Sequence, residues 1–369
     1  MVSGGVRSIR LEGFASIRSA DVELHDLNVL VGANGSGKSN FVRALELLGR
    51  IVDEDLQFYV GLNGGASALL HQPATTTKSM VVGMNFTGGS YEARLAVDAE
   101  DGFVFSTEVA TRGEDDPNES RRVDLGRGHR ESRLSYPGLS GGELWVTSDV
   151  VNILRDCHVY HFHDTSRTAA VKLYSPTADN RMLRADAANL APMLWRLRRE
   201  DPAAYRRTIG AIRQVAPYFR DFVLEPEESD RIRLRWRQVD QETIFSANQM
   251  SDGTLRFVCL ATLLLQRELP RLIVLDEPEL GLHPYAIAQL AAMLGAASAS
   301  AQVIVATQSV TLMTQFDIGD LVIVDRDHGS SVFSRPDPER LKDWLAEFSL
   351  GELWEKDLLG GRPVREGSH

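Results

Sequence analysis

Cysteine is scarce in this 369-residue sequence, which contains only Cys157 and Cys259. Two cysteines cannot form a disulfide framework, and such low usage is typical of proteins in a reducing cytoplasm. Long apolar runs are also missing, because none reaches the about 18 residues of a membrane-spanning helix. Residues 1–10 lack the apolar core of a signal peptide. We therefore expect a cytoplasmic protein without a membrane partner.

A sustained heptad pattern is absent too. Five prolines interrupt residues 166–242, namely Pro176, Pro192, Pro202, Pro217 and Pro226. The sequence therefore predicts no long coiled coil in this region. The net charge of −11 argues against a surface covered with nucleic-acid contacts, although it leaves room for a local basic groove.

One eight-residue segment matches the phosphate-loop pattern G-x-x-x-x-G-K-S in full. It consists of Gly32, Ala33, Asn34, Gly35, Ser36, Gly37, Lys38 and Ser39. The apolar run 27–31 before it predicts a strand, and Phe41, Leu45 and Leu48 after it have helical spacing. In this setting backbone N–H groups surround the phosphates at the positive end of a helix. Lys38 would reach the β- and γ-phosphates, and the Ser39 hydroxyl would ligate Mg²⁺.

A pair of carboxylates follows a second apolar run, residues 272–275. Such a run is typical of a parallel strand buried on both faces, and side chains at its carboxyl end face the ligand crevice. Asp276 is suited to hold Mg²⁺, directly or through water. Glu277 can accept a proton from an attacking water. Together with the phosphate loop, the pair indicates hydrolysis of a nucleoside triphosphate.

A third motif, residues 250–254, precedes an apolar helix predicted over 255–266 and lies 25 residues before Asp276. Ser251, Asp252 and Gly253 resemble the signature motif of ABC-type ATPases. The resemblance implies that Ser251 and Gly253 contact the γ-phosphate of a nucleotide bound by the opposite subunit. A rival, Leu-Ser-Gly-Gly-Glu at residues 139–143, is closer to the consensus letters. We interpret the rival as a turn because it lies 136 residues before Asp276 and leads into residues 144–147 rather than into a long helix.

Further residues resemble the RecF/SMC-like branch of these ATPases, and in particular stand-alone bacterial ATPases, over nearly the whole chain. They are Asn40, residues 278–284 and residues 307–309. Where relatives carry a switch histidine this chain has Gln308, so the resemblance implies a γ-phosphate contact from Gln308 without a protonatable switch. It also implies a glutamine that couples nucleotide to movement of a lobe, for which Gln72 is the candidate.

The resemblance defines the expected fold and domains. The fold is an α/β P-loop NTPase of the ABC-ATPase head type, with a mixed sheet, an antiparallel β portion and an inserted helical lobe. Residues 1–165 and 246–369 would form the two parts of the nucleotide-binding lobe, and residues 166–245 the helical lobe. Residues 112–142 are expected to form an exposed loop or a hairpin insertion.

The resemblance also implies an activity. ATP and Mg²⁺ would be bound by a homodimer that forms in the ATP state and acts as a switch. One hypothesis couples the switch to DNA repair, DNA maintenance or defence against foreign DNA. The alternative is a regulatory ATPase that holds or releases a separate effector protein without binding DNA itself.

Two groups of arginines bear on this choice. The first is Arg231, Arg233, Arg235 and Arg237, which alternate with apolar residues and would share one face of a strand. The second is a predicted loop with Arg121, Arg122, Arg127, Arg130 and Arg133. Either group could contact phosphates or be a solvated surface, and the second interpretation is favoured. The residues Cys157, His158, His161, His163 and Asp164 lack the spacing of a known zinc site, and we expect them to be structural.

Overall fold

The computed structural model describes residues 5–72, 77–113, 121–227, 230–356 and 358–360. Its strands are β1 (Val6–Phe14), β2 (Ile17–Glu23), β3 (Leu27–Val31), β4 (Ser79–Phe86), β5 (Gly89–Val97), β6 (Phe103–Arg112), β7 (Arg121–Gly126), β8 (Cys157–Tyr160), β9 (Ser175–Pro176), β10 (Phe219–Phe222), β11 (Arg231–Ile232), β12 (Arg235–Gln238), β13 (Ile244–Ser246), β14 (Leu272–Asp276), β15 (Gln302–Thr307), β16 (Leu321–Asp327) and β17 (Ser330–Ser334).

The α-helices lie between and after these strands. They are α1 (Lys38–Val52), α2 (Leu56–Leu62), α3 (Ala66–Leu69), α4 (Gly141–Arg155), α5 (Leu190–Glu200), α6 (Pro202–Val215), α7 (Asp252–Leu264), α8 (Pro284–Ala297), α9 (Val310–Met313), α10 (Pro338–Glu347) and α11 (Leu350–Glu355). In the described part of the chain the longest helices, α1 and α4, have 15 residues each, so this part holds no long coiled coil. None of the described helices is long and apolar enough to cross a bilayer.

The chain divides into two compact units. The first comprises residues 1–159, 270–274 and 301–369, and the second comprises residues 160–269 and 275–300. The three-part division predicted from the sequence remains a prediction.

The first unit contains two sheets. One has the strand order β2-β1-β4-β5-β6-β7, and its described pairs are antiparallel. The other has the order β17-β16-β3-β15-β14-β8, with β3 parallel to both β15 and β16. Every residue of β3 is buried, as expected for a strand covered on both faces. The buried residues of α1 join β1 and β4 in one apolar core.

The second unit is mainly helical. Helices α5, α6, α7 and α8 pack against one another, and a small antiparallel sheet has the order β10-β12-β13. The amphipathic spacing of Leu190, Leu194 and Leu197 explains α5, because all three are buried on one face. The mixed α/β head with antiparallel and helical portions, predicted from the sequence, is confirmed.

Two sequence interpretations need correction in the first unit. The described residues 121–126 form β7, which pairs antiparallel with β6, so Arg121 and Arg122 lie on a strand and not in the predicted arginine loop. Of the two alternatives expected for residues 112–142, this pairing fits the hairpin. The rival motif is wrongly interpreted as a turn, since Ser140 is the N-cap residue of α4, a 15-residue helix. Helix α4 packs on α1, β6 and β7. A glycine-rich N-terminal segment concealed this helix because glycine lowers helix propensity.

The antiparallel sheet holds a buried carboxylate, Glu108, which is fully shielded from solvent. It accepts hydrogen bonds from the Tyr91 hydroxyl (2.8 Å), the Ser132 hydroxyl (2.5 Å) and the Arg133 backbone N–H (3.0 Å). A ring nitrogen of His129 lies 2.8 Å from it. Burial raises the pKa of Tyr91 well above its ordinary value, so this hydroxyl remains a donor. The carboxylate thus has a complete set of partners, as buried charges require.

Replacing Glu108 with alanine should destabilise the protein by about 3 kcal/mol, because several buried donors lose their acceptor at once. Glu108→Gln keeps the shape of the side chain and one acceptor oxygen, so the loss of stability should be smaller. Urea unfolding at constant m-value measures both. A Glu108→Ala variant as stable as the parent would contradict a structural role for this network.

Candidate functional site

Close backbone packing shapes the phosphate loop. Gly32 follows β3 and lies against the carbonyl of Val324, which a Cβ atom at Gly32 would approach to 2.2 Å. Gly37 has φ of 115° and lies against the Ser331 hydroxyl, where a Cβ atom would again collide. Only glycine tolerates both the positive φ and the close approach. These two glycines therefore fix where the loop leaves the sheet and where it enters α1.

The lysine of the loop is directed inward. Lys38 is only 5% exposed, and its Nζ donates to the carbonyls of Gly32 (2.7 Å) and Ala33 (3.0 Å). Helix α1 begins at this lysine after its N-cap residue Gly37, which has no side chain that could cap the first N–H groups. Uncapped N–H groups at a helix start, next to a buried ammonium, form a ready site for an anion. Asn34, Gly35 and Ser39 are exposed, so the loop is open to a ligand.

A chain of hydrogen-bonded side chains connects the phosphate loop to neighbouring segments. The Ser331 hydroxyl, in β17, donates to the Ser36 carbonyl (2.6 Å). Because its proton is used there, Ser16 is the donor in the 2.6 Å contact between the Ser16 and Ser331 hydroxyls. The Asn40 amide in turn donates to Ser16 (2.8 Å). Asn40, chosen from the sequence as a family marker, is thus a structural partner of the loop.

Sequence reasoning missed Ser16 and Ser331. Ser16 lies in the turn between β1 and β2, next to Ala15, which has φ of 47°. Its carbonyl accepts from the Ser331 backbone N–H at 2.8 Å. The two serines are 315 positions apart, so no local pattern could have paired them.

Two glutamines of the first unit, Gln72 and Gln308, are predicted to take part in nucleotide binding. Gln72 is exposed, has φ of 62° and comes directly after His71, whose ring lies 2.8 Å from the Ala15 carbonyl and 3.3 Å from the Ser330 hydroxyl. Gln308 is exposed and follows β15, the neighbour of β3 in the sheet. Their roles in nucleotide binding remain predictions.

The acidic pair ends β14. Asp276 is half-buried, and its Oδ1 atom is shielded from solvent and has no hydrogen-bond partner among the described residues. A buried carboxylate oxygen without a donor suits a hard cation such as Mg²⁺, so the Asp276 side chain fits the predicted metal role. Glu277 has φ of 44°, an uncommon conformation for a residue with a side chain. Both carboxylates line a small crevice with Tyr160, Phe162 and Arg256.

The predicted signature residues begin α7, as expected. Ser251 is the N-cap residue, and its hydroxyl accepts from the Thr254 N–H and lies 2.7 Å from the Thr254 hydroxyl. Asp252 is the exposed first residue of the helix. Gly253 lies against the Gly281 carbonyl, and a Cβ atom there would be 2.4 Å away. This helix start is therefore packed on the segment that follows the acidic pair, whereas Ser140 begins α4, which packs on α1, β6 and β7.

A single arginine, also missed from the sequence, fixes three segments of the second unit. The guanidinium of Arg256 in α7 donates to the carbonyls of Phe162 (3.2 Å), His163 (2.9 Å) and Leu280 (2.8 Å). Its sequence signal was visible, because Arg256 is the only charged residue between Gly253 and Gln266. A cation placed in an apolar helix indicates a specific partner.

The described residues contain no group of three or more His, Cys, Asp or Glu side chains placed to hold a metal ion. The rings of His161 and His163 lie 6.3 Å apart. Burial raises the pKa of Cys157 and of Cys259 to about 12, so both thiols are protonated near neutrality.

Three of the alternating arginines have partners within their own unit. Ile232, Leu234 and Trp236 are buried, so the arginines do lie on the opposite side. Arg231 donates to the Tyr174 carbonyl (2.7 Å), and Arg233 lies 4.7 Å above the Tyr174 ring. Arg235 donates to the Glu225 carbonyl (3.2 Å). Arg231 lies in β11, and Arg235 and Arg237 lie in β12, two short strands in different sheets. Arg233 lies between these strands, so the four arginines are not carried by one strand.

Two arginines of the second group have partners of their own. Arg130 pairs with Asp98 and Glu100, and Arg133 lies 5.7 Å from the Tyr136 ring centre. These contacts support the interpretation of a structured protein surface.

Residues 27–314 match the family AAA_21, described as "AAA domain, putative AbiEii toxin, Type IV TA system". The chain belongs to this family. The match includes the phosphate loop, the signature segment and the acidic pair. No curated protein matches the sequence.

Solved structures show the same fold. An SMC head bound to the C-winged helix domain of ScpA is 18% identical, with a TM-score of 0.63, and the match covers 92% of this chain and 99% of that one. The SMC head from Pyrococcus furiosus, bound to the C-terminal domain of ScpA, is 15% identical with a TM-score of 0.58 and coverage of 93% and 99%. An SMC head from Pyrococcus yayanosii is 14% identical, with a TM-score of 0.52 and the same coverage. The chain thus combines a phosphate-loop motif with the fold of SMC heads, the ABC-type head fold predicted from the sequence.

Replacing Ser331 with alanine should weaken ATP binding about fivefold, since one hydrogen bond that holds the loop contributes about 1 kcal/mol. Ser330→Ala is the matched control, because its hydroxyl faces His71 rather than the loop. Titration of a fluorescent ATP analogue measures both. Equal affinities for the two variants would contradict the role of Ser331.

Proposed function

We propose that this protein is a Mg²⁺-dependent ATPase that dimerises in the ATP state and thereby acts as a switch. The observation that carries the proposal is the phosphate loop, with buried Lys38 below the uncapped start of α1. Such a site recognises a triphosphate through N–H groups and one ammonium. The family and the fold support ATP as the nucleotide.

The residues of the phosphate loop and of the acidic pair would have different roles in ATP binding and hydrolysis. Gly32 to Asn40 would bind the phosphates, and Lys38 would move from loop carbonyls to phosphate oxygens. Ser39 and Asp276 would hold Mg²⁺, which neutralises charge on the phosphates when bound. Glu277 would accept the proton of the attacking water or orient that water. Gln308 would contact the γ-phosphate, and Gln72 would relate nucleotide binding to lobe movement.

The dimer follows from the position of the signature. Ser251, Asp252 and Gly253 begin α7, where helix N–H groups can stabilise negative charge. In the proposed homodimer these groups face the γ-phosphate held by the partner chain and complete its site. A monomer would therefore hydrolyse ATP very slowly. Cysteine usage supports action in a reducing cytoplasm.

We propose two roles for such a switch. The first is repair, maintenance or defence of DNA, supported by the likeness to SMC heads. The second is control of an effector protein, supported by the net charge of −11 and by arginines engaged within the protein. Duplex DNA affinity that falls steeply with salt supports the first role, and absence of DNA binding at low salt excludes it.

Lys38→Ala should abolish ATP binding, because it removes the only ammonium of the loop. Glu277→Gln should keep ATP affinity and lower hydrolysis about 100-fold or more, because the amide cannot accept the proton. Nucleotide titration and phosphate release separate the two effects. Parent-like turnover in Glu277→Gln would exclude this residue as the base.

Ser251→Arg should prevent the ATP-dependent dimer, since a long cation at the start of α7 would occupy the partner's γ-phosphate position. Ser140→Arg is the matched control at the start of α4. Light scattering with ATP, in a Glu277→Gln background that slows hydrolysis, gives the masses. Dimers lost in Ser140→Arg but retained in Ser251→Arg would show that the rival motif is the signature.

A further inference from the structure

A cavity of about 840 Å³ lies within the helical second unit. It is lined by residues of α5 and α6, by the segment that follows α7, and by Arg181. This volume lies within the range of about 300–1,000 Å³ that is typical of ligand pockets. None of the residues proposed above for nucleotide or metal binding lines it.

Arginine dominates the charge around this cavity. The segment 181–220 contains nine arginines, no lysine and three acidic residues, which gives a net charge of +6 in a chain of net charge −11. Five arginines line the cavity: Arg181, Arg196, Arg206, Arg207 and Arg267. Guanidinium groups bind carboxylates and phosphates through paired N–H donors.

The lining arginines differ in their availability. Arg196 pairs with Glu200 (3.0 Å) and donates to the carbonyls of Asn180 and Arg181, while Arg207 donates to Leu265. These two have structural partners. The guanidinium groups of Arg181, Arg206 and Arg267 are exposed and make no hydrogen bond or ion pair with any described residue. Three cations thus remain free to bind an anion.

The acidic residues of the lining are mostly engaged. Glu200 pairs with Arg196, and Asp201 caps α6 by accepting from the Ala204 N–H (3.0 Å). Only Glu268 lacks such a contact among the described residues. The free charge facing the cavity is therefore positive.

The other residues that line the cavity indicate which kind of anion it would bind. Pro202 and Ala203 are exposed and give the cavity an apolar part, beneath which Met193 and Leu197 are buried. None of the lining residues is aromatic, whereas proteins that bind single-stranded nucleic acid stack its bases on aromatic rings. An apolar surface beside free guanidinium groups complements a peptide with both apolar and carboxylate side chains.

We propose that this cavity is a docking site for an acidic, partly apolar peptide segment of a partner protein. Arg181, Arg206 and Arg267 bind its carboxylates, and the apolar part of the cavity receives its hydrophobic side chains. Peptide binding at this site needs neither nucleotide nor hydrolysis. This proposal can therefore be tested independently of the proposed ATPase activity. Ser251 directly precedes α7, and Arg267 follows it, so this helix connects the proposed signature with the peptide site.

The test uses a displayed library of random twelve-residue peptides, selected on the full chain without nucleotide. We expect enrichment of peptides that combine Asp or Glu with Leu, Ile or Phe. The enriched peptides are then synthesised, and their affinity is measured by fluorescence anisotropy. The affinity should fall about tenfold or more in the double variant Arg206→Glu/Arg267→Glu. It should also weaken as salt rises.

The control is Arg198→Glu/Arg220→Glu, which changes the charge equally but outside the lining. Equal losses in both double variants, or enriched peptides without acidic residues, would overturn the proposal. So would loss of binding to a 20-nucleotide DNA in the cavity variant while peptide binding persists. If the double variant melts at a lower temperature than the parent, Arg181→Glu provides the same comparison.

Discussion

Tight backbone packing at Gly32 and Gly37 is the constraint on which the nucleotide site depends. Each glycine lies where a Cβ atom would collide, one with the Val324 carbonyl and one with Ser331. Between them the loop turns far enough for its carbonyls to face the buried ammonium of Lys38. The hydroxyl chain from Asn40 through Ser16 and Ser331 then joins the loop to both sheets of the first unit. Phosphate recognition is therefore built into the packing of this unit.

The second unit applies a comparable constraint to different residues. Gly253 meets the Gly281 carbonyl, and Arg256 donates to three carbonyls on two other segments. The helix start at Ser251 and the segment after Glu277 are consequently held together. Arg256 is half-buried, and its three hydrogen bonds restrict the geometry of these segments, because a rearrangement would leave donors unsatisfied.

The sequence predicted those parts that depend on local patterns. The strand before the loop, helix α1, the acidic strand and α7 follow from apolar periodicity and from caps a few residues away. The family match agrees with the motifs chosen from the residues. Helix α4 was missed because two glycines at its start weaken the helical pattern. Ser331 and the carbonyl partners of Arg256 could not be predicted, since tertiary contacts over long separations select them.

The central claim is that each active site takes its phosphate loop from one chain and its signature from the other. Mixing two inactive variants, Lys38→Ala and Ser251→Arg, tests it directly. A mixed dimer contains one site with both defects and one site with an intact loop and an intact signature. We expect ATP hydrolysis by the mixture to exceed the sum of the separate preparations. A mixture no more active than that sum would contradict a site shared between two chains.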